Sequence, residues 1–414
     1  MEKNIARPGT TSTTPTWEAL EGFVREKAQE LIQSILEEEV TELLGRRKSE
    51  RRAAVDGPAG YRNGYGKPRR LAMSSGTITV RRPRLRGLEA RFQSRVLPLF
   101  ARRTKEVGAL IPELYLHGLA EGDFELALRG LLGEGAPLSK ASIRRLRQGW
   151  RAEYAAWGER PLQGREVVYA WADGIYVKAG LERDKAALLV VIGALRDGTK
   201  EVLAVTSGYR ESTESWTAVF RDLKARGIGA PRLLMADGNP AIWAAARQVW
   251  PEAAEQRCWN HKILNVLDRL PKREQAEAKE LLRAVAYAPT RAKALAARQA
   301  FRKRYGAWYP KAVAVLEEDW ERMGAFYDFP EAHWKHLRTT NVVESPFAAV
   351  RLRTTAAKRF QRVDSATALI WKLLTVAERR FRRLNAPHLL ADVYEGRKFQ
   401  DGQPVLPHQR EAAA

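Results

Sequence analysis

The chain has 414 residues, with 71 Lys and Arg against 49 Asp and Glu, a formal net charge of +22 and a single cysteine. That length suits two to four domains, and the positive surplus points to a polyanion as partner, nucleic acid first. The longest apolar run, Ala186 to Leu195, is about half of what spans a bilayer, and no apolar leader follows the start. With Cys258 alone, an internal disulfide framework is excluded, so the reading is a soluble, intracellular protein in a reducing compartment.

The first element is a helix of about thirty residues. Trp17, Leu20, Val24, Leu31, Ile35, Val40 and Leu43 recur at three- and four-residue spacing with acidic residues between them. Dimerisation or packing explains it as well as DNA contact does. The charge then turns sharply basic: Arg46 to Arg95 holds 15 Lys and Arg against 3 Asp and Glu. Within this block GYRNGYG, from Gly60, reads as a turn-rich stretch. Thr77 to Val80 reads as a strand of a small β-hairpin, with Arg81, Arg82, Arg84 and Arg86 at its exit.

Between Arg102 and Trp157 the pattern predicts three helices. The first ends near His117-Gly118, the second covers Asp123 to Leu132, and the third follows Leu138-Ser139 and carries Arg144, Arg145, Arg147 and Arg151. Short helices with a basic last member fit a helix-turn-helix, and equally a plain three-helix packing unit.

At Glu166 the chain turns to strands. Val167 to Trp171, Ala186 to Leu195 and Glu201 to Thr206 read as strands, with Gly174 to Ala179 continuing the first. Trp216 to Arg226 reads as an amphipathic helix and Arg232 to Ala236 as another buried strand, ending at Asp237-Gly238-Asn239. Strand, strand, strand, helix, strand is the order that begins a ribonuclease-H-like α/β fold. In such a sheet the first and fourth strands are neighbours, which would bring Asp173 and Asp237 face to face. Carboxylates that close repel unless cations lie between them, and their hard oxygens suit Mg²⁺ or Mn²⁺. A third carboxylate from a later helix completes a two-ion site. Each Asp-Gly pair on its own also makes an ordinary turn after a strand; the joint placement favours the site.

Glu344 is the candidate third carboxylate. Asn341 and Glu344 have capping-box spacing, while Pro346 allows the helix to begin at Ser345 instead. Behind it, Arg351 to Arg383 holds ten basic residues against Asp364 and Glu378, a charge run that suits either a solvated face or DNA phosphates. Arg338, Arg351, Arg353 and Lys358 are the DNA-binding candidates here; Arg62, Arg81, Arg82, Arg84, Arg144 and Arg145 are those of the N-terminal region.

Several strings together carry a resemblance. ADG at Asp173, ADGNPAIWAAARQVWP from Ala236, QRCWNHKILNVLDRLP from Gln256 and HLRTTNVVES from His336, with GYRNGYG and TVRRPRLRG upstream, closely resemble the mutator-type transposases of bacterial insertion sequences over most of the chain. The resemblance implies a DDE active site at Asp173, Asp237 and Glu344. Two Mg²⁺ or Mn²⁺ ions would be held there, and terminal inverted repeats and target DNA would be the double-stranded partners. It also implies a mostly helical insertion, fitting the Ala/Glu/Lys/Arg-rich stretch from Lys272 to Met323. The implied organisation is a long helix and basic β-hairpin in residues 1–100 and a helix-turn-helix-like DNA-binding domain in 101–160. Residues 161–270 would form the first part of the catalytic domain, 271–335 the insertion, 336–390 the final helices and 391–414 a tail. Processing two element ends needs at least a dimer.

Cys258 and His261 form a CxxH pair similar to that family's Cys/Asp-x-x-His motif, implying a site-supporting role. Its spacing also permits half a zinc site, with His333 and His336 as the other half. Trp259, Trp308, Trp320 and Trp334 suit base stacking or core packing alike. Two rival functions use the same features: a ribonuclease-H-like nuclease or resolvase that joins no strands, and a DNA-binding regulator that needs only the basic regions.

Overall fold

The computed structural model describes residues 15–51, 60–119, 123–133, 136, 140–179, 185–208, 210–357 and 359–405. The chain divides into two compact units between Leu146 and Arg147.

The first unit begins with α1 (Leu20–Leu44), closed by Gly45 in the left-handed conformation that ends many helices. Only its second half is covered: Leu36, Val40 and Leu44 are buried, whereas Trp17, Leu20, Val24 and Leu31 are exposed. The buried side meets β1 (Tyr61–Tyr65), β2 (Arg69–Met73), β3 (Gly76–Val80) and β4 (Pro83–Arg86) around Leu36, Leu71, Ile78, Val80 and Leu97. β2 and β3 form a tight antiparallel hairpin with Met73 opposite Gly76, and β1 pairs with β4. The GYRNGYG stretch is thus strand rather than turn. Its glycine and asparagine serve a bulge between Arg62 and Tyr65, where Gly64 takes φ 67°. Then follow α2 (Lys105–Leu116), α3 (Phe124–Leu132) and α4 (Lys140–Gly158), the unit division falling within α4.

The second unit is built on β5 (Val167–Val177), β6 (Ala186–Leu195), β7 (Lys200–Gly208), β8 (Leu233–Ala236) and β9 (Ala254–Arg257) in the order β7-β6-β5-β8-β9. β5, β6 and β7 pair antiparallel; β8 and β9 add in parallel. The strands are apolar runs because the sheet is covered on both faces. Ala170, Ala172, Leu189, Val191 and Leu234 join Trp216, Phe220, Ile242, Trp243 and Trp250 of α5 (Thr213–Ala225), α6 (Pro240–Val249) and the residue after α6. The alternate residues of β5 face the C-terminal elements.

After β9 come α7 (Trp259–Leu267), α8 (Lys272–Ala286), α9 (Arg291–Tyr305), α10 (Pro310–Glu317) and two short helices, α11 (Trp320–Met323) and α12 (Trp334–Leu337). The chain then returns to the sheet through α13 (Asn341–Ala357), α14 (Val363–Glu378) and α15 (His388–Tyr394). β9 escaped the sequence reading because AEQR carries no apolar pattern. It is an edge strand held by its backbone and by the fully buried Gln256, which accepts from the Phe326 N–H at 2.9 Å and donates to the Arg257 carbonyl at 2.8 Å.

Phe220 is fully buried between Trp216, at 5.7 Å between ring centroids, and Trp250, at 4.9 Å. Phe220→Ala leaves an aromatic-sized void and is expected to cost about 3–5 kcal/mol. Urea titration should show a lower midpoint with an unchanged slope; a loss under about 1 kcal/mol would mean that α5 and α6 do not close this core.

Candidate active site

Strand alternation aims Asp173. Ala170 and Ala172 point into the α5–α6 core, so Tyr169, Trp171 and Asp173 share the other face. Tyr169 there hydrogen-bonds His333 at 2.9 Å, and Trp171 Nε1 donates to the His336 carbonyl at 3.1 Å. Asp173 therefore looks toward the side from which α13 approaches.

Parallel pairing supplies its neighbour. Trp171 lies opposite Met235 in the β5–β8 register, and two residues further along the two strands stand Asp173 and Asp237. Each is held by a local amide: Gly174 N–H donates to Asp173 Oδ1 at 2.8 Å, and Asn239 N–H to Asp237 Oδ1 at 2.9 Å. Gly238 takes φ 112° with the Arg257 guanidinium against its α-carbon, leaving no room for a side chain. Asn239 then caps α6, its Oδ1 accepting from Ala241 N–H at 3.0 Å with Pro240 in the first turn.

Glu344 comes from the first turns of α13. The cap is Thr340, not Asn341: the Thr340 carbonyl accepts from both Val343 and Glu344 N–H at 3.0 Å, and its hydroxyl bonds the Glu344 carboxylate. Asn341 is drawn away because its Oδ1 accepts from Asn260 Nδ2 at 3.1 Å. Nor does the helix begin at Ser345; Pro346 lies inside it.

These carboxylates sense one another. Burial first, then the charges of Asp237 and Glu344, push Asp173 up to about 7, against the Gly174 N–H and His261. His261, on α7, is raised to about 9 by the adjacent Cys258 and by the carboxylates of Glu344 and Asp237, against the effect of burial. Its Nδ1 lies 3.7 Å from Glu344 Oε1. Among the described residues, the potential metal ligands that come within 4.8 Å of one another as a group are Cys258, His261 and Glu344.

A fourth carboxylate was not anticipated. Glu211, half-buried ahead of α5, lies directly over the Gly174 α-carbon, accepts from Asn239 Nδ2 at 2.8 Å and sits beside Tyr176. Burial raises its pKa, and the nearby Asp237 adds to the rise. Its sequence surroundings, RESTES, read only as a helix start, so nothing local marks it.

Residues 8–383 match the family described as Transposase, Mutator family. The chain belongs to this family. Among its relatives, the transposase for insertion sequence element IS6120 of Mycolicibacterium smegmatis is 46% identical over 294 residues, 71% of this chain and 91% of that protein. The transposase for IST2 of Acidithiobacillus ferrooxidans is 42% identical over 293 residues, 70% and 99% of the two chains. That for ISRM5 of Rhizobium meliloti (strain 1021) is 28% identical over 380 residues, 91% and 93%. Among solved structures, the HTLV-2 integrase catalytic core in complex with magnesium overlaps 30% of this chain and 85% of its own at 16% identity and a TM-score of 0.18, too slight an overlap to bear on the fold.

In this mutator-family protein the other expected site residues scatter. His333 and His336 do not complete a zinc site with Cys258 and His261: His333 is held between the Tyr169 hydroxyl and the Ala386 carbonyl, and His336 by Asn385 Oδ1 at 3.3 Å. Burial lowers the pKa of both, His336 to about 4. Arg338 is not poised for phosphate, because its guanidinium is enclosed by Tyr287, Phe326 and Trp334 at 4.8–5.1 Å from the ring centroids. Arg353 is buried, at 3% exposure. Arg62 is spent on Thr41 and Glu37 of α1, and Arg82 on the Phe92 carbonyl and ring. Arg81, Arg84, Arg144, Arg145 and Arg351 are exposed; Lys358 lies outside the described residues. Trp259 and Trp334 are buried, whereas Trp308 is 81% exposed. Among the described residues, no helix is long and apolar enough to cross a membrane.

The raised Asp173 pKa fixes a pH dependence. The folded protein holds this proton up to about 7, the unfolded chain only to about 4. The stabilisation is therefore complete below about 4 and lost as pH rises through about 7. In chelator, Asp173→Asn should gain thermal stability relative to wild type as pH rises from about 5 to 8, and the gap should shrink when Mg²⁺ is added. A pH-independent difference would refute the clustering of charge at Asp173.

Proposed function

We propose that this chain is a DDE transposase whose second unit carries a ribonuclease-H-like catalytic domain, with Asp173, Asp237 and Glu344 as the catalytic carboxylates. The observation that carries this reading is the parallel β5–β8 register, which sets Asp173 and Asp237 at the same level of adjacent buried strands. The strand order and directions of the sheet support the fold assignment, and family membership supports the reaction.

The donor set fits divalent cations. Three carboxylates offer hard oxygen ligands, and burial, with the charges of Asp237 and Glu344, keeps a proton on Asp173 up to about 7. Asp173, Asp237 and Glu344 would hold Mg²⁺ or Mn²⁺, two ions by analogy with other phosphoryl-transfer sites. Bound there, such ions supply Lewis acidity at the phosphate and lower the pKa of the attacking hydroxyl.

The protein's own groups set the geometry. The Gly174 and Asn239 amides hold one oxygen of each aspartate and leave the other to ligate. Glu211, over Gly174 and bonded to Asn239, locks the Asp237 loop against β5. His261 is cationic at neutral pH and suits a scissile phosphate beside Glu344. The sequence of reactions is hydrolysis at an element end, which frees a 3′-hydroxyl, followed by attack of that hydroxyl on a second phosphodiester. Each step inverts one phosphorus and consumes no external energy.

Within the first unit, Arg81, Arg84 and Arg144, with the hairpin, α2, α3 and the start of α4 up to Leu146, are the proposed reader of the terminal inverted repeats. Arg351 on α13 is the proposed phosphate contact near the chemistry. Two ends cut and joined together require at least two copies of the chain.

The test is incubation of the purified protein with Mg²⁺ and a labelled duplex bearing the terminal repeat of its own element. Wild type should give cleaved and joined products. Asp173→Asn and Asp237→Asn should lose at least about a hundredfold in rate while binding the duplex normally. Cleavage without joining would favour a nuclease. Variants that lose binding and cleavage equally would overturn the assignment of these residues.

A further inference from the structure

Glu344 belongs to a second ligand set as well. Cys258 stands at the N-terminus of α7 with its sulfur accepting from the Thr340 N–H at 3.3 Å, and His261 follows one turn later. The sulfur of Cys258, a ring nitrogen of His261 and a carboxylate oxygen of Glu344 all lie within 4.8 Å of one another. His261 Nδ1 is sealed from water and lacks a hydrogen bond of normal geometry. It is 3.7 Å from Glu344 Oε1. A tetrahedral ion with metal–nitrogen and metal–oxygen bonds of about 2.0–2.2 Å holds such ligands about 3.3–3.6 Å apart, close to the His261–Glu344 separation, and the sulfur within 4.8 Å of both must draw in to complete the set.

The chemistry of this trio differs from that of the carboxylates. A thiolate and an imidazole are soft and borderline donors that favour Zn²⁺ and its neighbours in the transition series, whereas Mg²⁺ takes oxygen. Three protein ligands with a fourth position open to solvent is an arrangement zinc accepts. We propose that Cys258, His261 and Glu344 form a seat for a thiophilic divalent ion, Zn²⁺ foremost, and that occupation of the seat holds Glu344 away from the Asp173–Asp237 pair. Ion uptake releases the thiol proton, and any imidazole proton, to solvent. Zinc would then act as a reversible inhibitor of the Mg²⁺-dependent reaction. The inhibition rests on the catalytic role proposed for Glu344; the seat itself does not.

Cobalt(II) on the full-length chain is the direct probe. Because Cys258 is the only cysteine, a thiolate-to-cobalt charge-transfer band can come from no other residue. One equivalent of Co²⁺ should produce that band with intense tetrahedral d–d absorption, and Zn²⁺ should displace both. His261→Ala and Glu344→Gln, checked for folding by circular dichroism, should each weaken Zn²⁺ binding at least about tenfold. A folded wild-type protein showing no charge-transfer band in excess Co²⁺ would overturn the seat, as would unchanged Zn²⁺ affinity in both variants. If the bands appear yet stoichiometric Zn²⁺ leaves DNA cleavage untouched, the inhibitory consequence falls and the seat stands. Undiminished cleavage by Asp173→Asn would instead remove the catalytic reading, with the cobalt spectra unaffected.

Discussion

Asp173, within β5, and Asp237, just after β8, bring like charges close together, and much of the second unit can be understood as the means of holding them there. The β5–β8 register pairs Trp171 with Met235, two residues before Asp173 and Asp237, and the strands behind them are apolar on both faces, leaving both carboxylates half-buried. Burial first, and then the charges of Asp237 and Glu344, favour the protonated form of Asp173 up to about 7.

The support around the pair is correspondingly stiff. Arg257 presses on Gly238 and pairs with Asp319 at 2.7 Å, Asp319 also holds Arg322, and Arg322 closes on Glu255 of the same edge strand. This chain of opposite charges ties β9, the loop of Asp237 and α11 together. Removing one member leaves its partner with an uncompensated, partly buried charge, which costs more than an exposed pair contributes. On the other side Glu211 bridges β5 to the Asn239 cap. The turn that follows β8 is therefore fixed from two directions, by an ion network and by a carboxylate–amide bond.

Strands buried on both faces announce themselves: Ala186 to Leu195 was read with the bounds that β6 has, because ten apolar residues between turns have few other uses. Asp173 and Asp237 each follow such a run, β5 continuing past Asp173 to Val177. Sequence spacing failed where a residue's role depends on a distant partner. β9 is polar and exists by pairing with β8. Arg338 and Arg353 read as surface cations, yet Arg338 packs on the rings of Tyr287, Phe326 and Trp334 and Arg353 is buried. Glu211 looks like any acidic residue before a helix until β5 is folded beneath it. The cap of α13 shifted by one residue because Asn260, 81 positions away, claims Asn341.

That shift bears on how Glu344 can serve at all. With Thr340 as cap, Glu344 is the fourth helical residue and Pro346 the sixth, so the proline cannot donate to the Val342 carbonyl one turn below. Proline inside a helix ordinarily costs about 3 kcal/mol, but near the first turn few intrahelical bonds are lost. The consequence is local: the turn carrying Glu344 is the part of α13 with the fewest backbone bonds holding its register. The side chain there has two partners, the Thr340 hydroxyl and His261, while its charge repels that of Asp173. Asp173 lies within β5 and Asp237 in the turn after β8, whereas Glu344 lies in the first turns of a helix. For the site proposed above, Pro346 two residues after Glu344 puts a turn with few backbone bonds beside the third proposed carboxylate.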